Sequence, residues 1–129
     1  MNPITHARRV FAIITLALMA ATFATGCAAK ARQESSDANL AANRGYLAEY
    51  VERDTPHRPQ AEGIIARIDA GEVEDVDAEI TVYDQSRPLI EDYAQIADDE
   101  GQVDALFTPR SVGILEWLNA WGRELDRYR

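Results

Sequence analysis

The chain has 129 residues and a formal net charge of −9 at neutral pH, from 22 acidic and 13 basic side chains. An acidic chain is repelled by phosphate backbones and by anionic lipid headgroups, so the composition argues against nucleic acid as a partner. Cys27 is the single cysteine, which excludes a disulfide within the chain and leaves the fold to depend on packing. The length admits one small domain.

The N-terminal segment has the organisation of a secretory signal. Arg8 and Arg9 precede an uncharged, mostly apolar run, Val10–Thr25, and the small residue Gly26 leads into Cys27. A basic start, an apolar stretch and a small-residue cleavage site are the three parts of such a signal. The uncharged run has 16 residues, whereas a helix needs about 20 to span a bilayer, so a retained transmembrane helix is disfavoured.

The residues Ala24-Thr25-Gly26-Cys27 resemble the lipobox of bacterial lipoproteins. The resemblance covers residues 1–27 only, and Ala24 stands where leucine is usual. It implies cleavage after Gly26, acylation of the Cys27 thiol by palmitate-type chains and permanent anchoring in a membrane. Aspartate after the cysteine is associated in this family with the inner membrane. Ala28 therefore implies the outer membrane, with the protein facing the periplasm.

Three segments are predicted along the chain: a signal peptide over 1–26, lipidated Cys27 with a flexible tether over 27–37, and a single helical domain over 38–129. The tether is predicted because its residues are small and polar. Ser36 or Asp37 is expected to cap the first helix of the domain. Two prolines between Thr55 and Pro59 must end that helix, because proline lacks an amide donor.

Pro59 suits the first turn of a second helix, which Gly71 would end. The segment Glu72–Tyr83 is ambiguous, because Ile80–Tyr83 is rich in β-branched residues and also suits a strand. A lone strand would have no partner, which favours a helix. The helical reading is supported by a stripe with spacings of three, four and three, formed by Val73, Val76, Ile80 and Tyr83.

Ser86 and Pro88 are expected to start a further helix that ends at Gly101. Thr108 is expected to cap the last helix, with Pro109 in its first position. Apolar residues on one stripe of this helix continue to the C-terminus: Val112, Leu115, Leu118, Trp121, Leu125 and Tyr128. The sequence therefore predicts an all-α fold, a small bundle of four or five helices.

The negative charge is concentrated in the middle of the chain. Residues 69–104 contain 13 acidic side chains and one basic side chain, Arg87. We expect this segment to attract a protein partner with a basic surface, and we expect aromatic residues of the last helix to add apolar contacts. The candidate partner-binding residues are Glu72, Glu74, Asp75, Asp77, Glu79, Trp117 and Trp121.

Few side chains after residue 26 are suited to nucleophilic or zinc chemistry. His57 is the only histidine there, and the Cys27 thiol is assigned to lipid. A catalytic triad or a zinc site would need more such groups. We therefore assign no catalytic residue, no metal ligand and no cofactor. The predicted function is that of a non-enzymatic envelope lipoprotein, anchored to a membrane, that acts as a protein-binding or accessory module.

Two alternatives stay open. The first is an acidic lipoprotein that binds or senses a cation, since Asp75, Asp77 and Glu79 have the spacing that begins a calcium loop. Ile80, however, stands where that loop requires glycine. The second is a small enzyme, which would need a pair of carboxyl groups in a cleft, with the pKa of one of them raised.

Overall fold

The computed structural model describes the backbone of residues 3–129 and the side chains of residues 26–129. Within this part of the chain there is no β-strand, only an isolated antiparallel bridge. The predicted all-α fold is confirmed. In chain order the helices are α1 (Pro3–Val51), α2 (Arg58–Asp69), α3 (Val76–Asp99) and α4 (Arg110–Leu125), followed by a 3₁₀ turn (Asp126–Tyr128).

The chain divides into two compact units, Met1–Asp37 and Ala38–Arg129. The predicted signal peptide lies outside the described side chains, apart from Gly26. Residues 27–37 belong to α1 rather than to the flexible tether that we expected, so Ser36 and Asp37 do not cap a helix start. Alanines favour the helix there. Pairs four residues apart support it further, namely Lys30 with Glu34 at 4.0 Å and Gln33 with Asp37 at 2.9 Å.

In the unit Ala38–Arg129, α1 runs parallel to α3, and α4 runs antiparallel to both. Asn43 near the start of this part of α1 contacts Ser86, and Arg53 just beyond its end contacts Glu100. The antiparallel direction of α4 follows from Asn39, near the start of this part of α1, because it contacts Glu124 near the C-terminal end of α4. The C-terminal end of α2 meets α1 through an ion pair with Asp69. All four helices thus contribute to one bundle.

Side chains from the four helices form a single apolar core. The largest of them is the Trp121 indole of α4, which is 1% exposed. Its ring meets the Tyr83 ring edge-on, with centroids 5.0 Å apart. The other core residues that are fully buried come from every helix, and they include Leu47 and Tyr50 of α1, Ala61 of α2, Val82, Ile90, Tyr93 and Ala97 of α3, and Ile114, Leu118 and Leu125 of α4.

Both predicted glycine stops are confirmed. Gly71 follows α2 with φ 70°, and Gly101 follows α3 with φ 71°. Glycine suits this left-handed conformation because it has no Cβ. The amide of the residue after each glycine donates back to a carbonyl in the last helical turn, at 3.1 Å in α2 and 3.0 Å in α3. This pattern is the Schellman motif, which satisfies carbonyl groups that the helix leaves without partners.

The ambiguous segment is helical from Val76 onward. Asp75 is its N-cap, and its side chain accepts a hydrogen bond from the Ala78 amide at 2.8 Å. The carboxylate also lies at the positive end of the helix dipole.

The expected break at Ser86 and Pro88 is absent, because α3 is one helix of 24 residues. Ser86 is fully buried and accepts from Asn43 Nδ2 at 3.0 Å instead of capping a helix. Pro88 lies on an exposed position inside the helix. Buried side chains on both sides of it, such as Val82 and Ile90, keep the same face of α3 against the core. This packing holds the helix together across the missing proline amide.

The start of α4 also differs from the prediction. Pro109 is the N-cap and Arg110 is the first helical residue, so Thr108 does not cap the helix. A carboxylate from another helix takes this role. Asp98 of α3 accepts hydrogen bonds from the amide of Ser111, at 3.1 Å, and from its hydroxyl group. The first turn of α4 therefore depends on the position of α3.

We expect Gly122→Ala to destabilise the bundle by about 1–3 kcal/mol, because overpacking a core has that effect. A Cβ at position 122 would lie 2.8 Å from Cζ of Tyr83 and closer still to its hydroxyl oxygen. Gly113→Ala is the matched control. It lies on an exposed part of the same helix with nothing within 4 Å, so it should stabilise by up to about 1 kcal/mol. Thermal unfolding of both variants measures this, and equal shifts would contradict the packing argument.

Candidate functional site

Cys27 is exposed and lies in α1. Its thiol is therefore accessible to solvent among the described side chains. Within the described residues, no helix is both long and apolar enough to cross a membrane.

The predicted acidic surface is only partly present. Glu72, Glu74 and Asp77 are exposed around the start of α3. Asp75 is exposed too, although its carboxylate is occupied in capping the helix. A cationic surface that approached the start of α3 would therefore meet three carboxylates before it met the helix backbone.

Glu79 does not belong to this surface, which corrects the prediction. Its side chain is 2% exposed and accepts a hydrogen bond from Nε1 of Trp121 at 2.8 Å. The reason is helical geometry, because Glu79 lies on the face of α3 that also carries Val82 and Tyr83. A buried indole N–H needs an acceptor, and this carboxylate supplies it.

The two tryptophans are also more buried than a partner-binding pair would be. Their rings stack with centroids 5.4 Å apart. Trp121 is in the core, whereas Trp117 is half-buried and donates from Nε1 to Oδ1 of Asn39 at 3.1 Å. Tyr46 covers Trp117 from α1 at a centroid distance of 5.2 Å. Trp121 is therefore removed from the candidate surface, and Trp117 keeps only a partly exposed edge.

The two most exposed large apolar side chains of the described residues lie in the connection between α3 and α4, where the sequence pattern predicted no site. Leu106 is 84% exposed and Phe107 is 87% exposed. Val103 at the base of the same loop and Val112 in the first turn of α4 are also exposed. One signal was present in the sequence: two adjacent large apolar residues in a connection bounded by Gly101 and Pro109.

This connection forms a small hairpin over residues 103–109, here called the 103–109 hairpin. Val103 and Pro109 form the antiparallel bridge at its base. Inside the bridge, the Asp104 amide donates to the Thr108 carbonyl at 2.9 Å, and the Phe107 amide donates to the Asp104 carbonyl at 3.1 Å. The loop is thus a three-residue hairpin loop closed by a tight turn.

The Asp104 carboxylate organises the loop from within. Its Oδ1 accepts from the amides of Leu106, at 3.0 Å, and Thr108, at 3.2 Å. Aspartate is favoured at this turn position because it can hydrogen-bond to the backbone two residues ahead. Both large apolar side chains are therefore displayed on an ordered backbone.

Phe107 has φ 62°, and it is the one non-glycine residue with positive φ in the described part of the chain. Hairpins of this length usually place glycine at the left-handed position. An L-residue with a Cβ is disfavoured there by about 1–2 kcal/mol. The hairpin therefore carries a phenylalanine where backbone energetics would select glycine.

The base of the hairpin is held by a polar network that involves three helices. Glu49 of α1 accepts hydrogen bonds from the hydroxyl of Tyr93 on α3 and from Nη2 of Arg110 on α4, the latter at 2.8 Å. Arg110 Nη1 also donates to Gln102 at 2.6 Å. On the other side, Arg53 donates to the Glu100 carboxylate at 2.6 Å. Both stems of the connection are thereby tied to the end of α1.

The network shifts the acidity of its members. Burial and, next in size, the hydrogen bond to the Glu49 carboxylate together raise the pKa of the Tyr93 hydroxyl to about 12. The nearby guanidinium groups of Arg110 and Arg53 oppose the shift. Conversely, the hydrogen bond from Arg53 lowers the pKa of Glu100. Protonated Tyr93 and ionised Glu100 are therefore the forms that the fold stabilises.

An open groove of about 550 Å³ lies elsewhere on the bundle, between α3 and α4. Its carboxylates already have partners. Arg129 makes an ion pair with Asp84 at 2.5 Å and another with Asp126 at 3.1 Å. The hydrogen bond from Arg129 lowers the pKa of Asp84, whereas a general acid would need a raised pKa. Among residues 26–129, no three His, Cys, Asp or Glu side chains are arranged to hold a metal ion.

No protein family matches this chain, and it has no significant similarity to a curated protein or to a solved structure. The candidate surfaces of the unit Ala38–Arg129 therefore stand on their geometry alone. They are an acidic group at the start of α3 and an apolar hairpin at the other end of α3.

We expect Tyr93→Phe to lower stability at pH 7 by about 1.5–3 kcal/mol, because it removes a hydrogen bond to a charged group. The folded-state pKa of about 12 lies above the unfolded value of about 10. The wild-type contribution is therefore full below pH 10 and is lost as the pH rises toward 12. Denaturant unfolding at several pH values should show that the free energy of unfolding declines less steeply in that range for the variant than for the wild type.

The stability of Tyr93→Phe should still decline somewhat as the pH rises above 10, since burial also raises the pKa of Tyr50 and of Tyr83. Parallel pH profiles for the wild type and the variant would contradict the role given to Tyr93.

Proposed function

We propose that this protein is a non-enzymatic lipoprotein of the bacterial cell envelope that binds another protein. Lipid on Cys27 would anchor it to a membrane, and the anchor is expected to be in the outer membrane with the domain facing the periplasm. The helical unit Ala38–Arg129 would be the binding module. The observation that carries the proposal is the exposed acidic group at the start of α3.

The charge of this group defines the kind of partner. Glu72, Glu74 and Asp77 are exposed, and the 69–104 segment around them contains 13 acidic residues and one basic residue. A surface of this sign raises the association rate with a basic protein and disfavours anionic lipids and nucleic acids. A protein partner with a basic surface is therefore the occupant that the electrostatics support.

Nothing among the described side chains specifically favours the alternative of a cation-binding or sensing protein. Of the three residues with calcium-loop spacing, Asp75 caps a helix and Glu79 accepts from Trp121. Only Asp77 would have its carboxylate available for a cation.

Anchoring is tested by Cys27→Ser. The wild-type chain, expressed in a bacterium that processes lipoproteins, should incorporate labelled palmitate and should lose residues 1–26. The variant should do neither, because serine has no thiol to acylate. Ala28→Ser, which keeps the cysteine, should be processed like the wild type. Intact-protein mass spectrometry distinguishes these forms, and a wild-type protein with a free Cys27 thiol would overturn the anchoring proposal.

Binding is tested by reversing charge with Glu72→Lys, Glu74→Lys and Asp77→Lys together. Asp75 is left in place because it caps α3, and Glu79 is left because it is buried. Cross-linking in intact cells, with capture through a C-terminal tag, should lose the partner of the wild type. At low salt, the association rate with that partner should fall about tenfold or more, since steering by charge changes rates on that scale.

The matched control is Glu34→Lys, Glu62→Lys and Glu116→Lys, which makes the same change in net charge at exposed positions outside α3. None of these three residues is paired with a side chain at the base of the 103–109 hairpin. It should leave capture unchanged. Thermal melting of both triple variants checks that each is folded. Equal capture by the α3 variant and the control would contradict the electrostatic part of the proposal.

A further inference from the structure

We propose that Leu106 and Phe107, at the tip of the 103–109 hairpin, are the anchor that this protein inserts into an apolar pocket with a basic rim on its protein partner. The inference rests on the proposed function, because it assumes that a protein partner exists. It goes further by assigning the point of apolar contact and the chemistry of the complementary pocket.

The first argument is that the tip is both apolar and ordered. The two side chains are 84% and 87% exposed, which makes them the most exposed large apolar residues in the described part of the chain. Asp104 and the hairpin hydrogen bonds fix the backbone that carries them. A partner that binds this tip does not have to order the loop first, which lowers the entropic penalty of association.

The second argument is the backbone of Phe107. Its φ of 62° lies in the region that a hairpin of this length normally fills with glycine. No contact in the bundle explains the ring, because most of its surface faces solvent. Strained positions of this kind concentrate at binding and catalytic sites, where the side chain has a role that the backbone preference opposes. Aromatic residues are also among the commonest anchors of protein interfaces.

The third argument is charge, which indicates the kind of partner surface that the hairpin tip would contact. The stems of the hairpin carry Asp98, Asp99 and Glu100, and Asp104 lies inside the loop. The single base from residue 98 to residue 110 is Arg110, which is paired with Glu49. Arg53 at the end of α1 pairs with Glu100, so Asp98, Asp99 and Asp104 supply the excess negative charge. An acidic collar disfavours insertion into an anionic bilayer and disfavours a second copy of this acidic chain. It complements an apolar pocket bordered by lysine or arginine side chains.

The hairpin lies far from the acidic group at the start of α3, so the two surfaces can be tested independently. The hairpin lies at the end of α3, whereas the acidic group of Glu72, Glu74 and Asp77 lies at its start. A helix of 24 residues separates them by roughly 35 Å. In the unit Ala38–Arg129, the hairpin is also at the end opposite to Ala38, where the chain arrives from Cys27.

The experiment places a photoactivatable benzophenone amino acid at one of two positions in the full-length, lipid-processed protein in intact cells. One probe replaces Leu106 at the tip, and the other replaces Glu74 at the start of α3. We expect the probe at 106 to form an adduct with one protein. The cross-linked peptide should come from an apolar pocket flanked by lysine or arginine. The yield of the adduct should fall as the salt concentration rises.

The decisive variant is Phe107→Gly, combined with the probe at 106. Glycine is the residue that the backbone prefers at this position, so the hairpin should keep its fold while the ring is removed. We expect the yield of the adduct to fall about tenfold or more, as it does when an interface loses an aromatic anchor. Ala105→Gly is the matched control, because it loosens the same loop and keeps the ring. Its yield should stay within about twofold of the wild type.

The outcomes separate the two proposals. A partner that cross-links to the probe at 74 and not to the probe at 106 overturns the inference and leaves the proposed function intact. Absence of a protein adduct from both probes overturns both. Adducts of the 106 probe with lipid, or with a second copy of this chain, overturn the choice of occupant. A fall in yield that is equal for Ala105→Gly and Phe107→Gly overturns the role of the ring.

Discussion

The carboxylate of Glu49 joins the three helices that meet at the hairpin end of the bundle. It accepts from Tyr93 of α3 and from Arg110 of α4, while the neighbouring Arg53 holds Glu100 at the end of α3. These contacts tie both stems of the connection between α3 and α4 to the end of α1. The end of α1 therefore helps to position the loop that carries Leu106 and Phe107. It does so through the stems of the loop rather than through contacts with the tip.

Polar groups inside the core fix the register between neighbouring helices. Asn43 and Ser86 pair α1 with α3, and Glu79 and Trp121 pair α3 with α4. An apolar surface alone would allow one helix to slide along another by a turn, whereas a buried donor requires its own acceptor. Close contact adds a steric constraint, because Gly122 leaves room for the Tyr83 ring. The register of a small core is thus set by a few specific contacts.

Acidic residues at the two ends of α3 have different physical roles. At the start, Asp75 and its neighbours face the positive end of the helix dipole, which stabilises them. At the other end, Asp98 and Glu100 face the negative end of the dipole, and they are held by Ser111 and Arg53 instead. Glu74 and Asp77 are exposed at the start of α3 beside Glu72, which lies 3.9 Å from Arg67. Both ends of α3 therefore have an excess of negative charge.

The sequence by itself determined the helical class and the glycine stops at Gly71 and Gly101, because each follows from local spacing or from the conformation of a single residue type. Tertiary structure decided what packing controls. It made α3 continuous through Pro88, gave the cap of α4 to Asp98, and buried Glu79 and Trp121. It also left Leu106 and Phe107 exposed, which periodicity could not show because they lie outside any helix. Local signals specify where helices form and end, whereas burial depends on which faces meet.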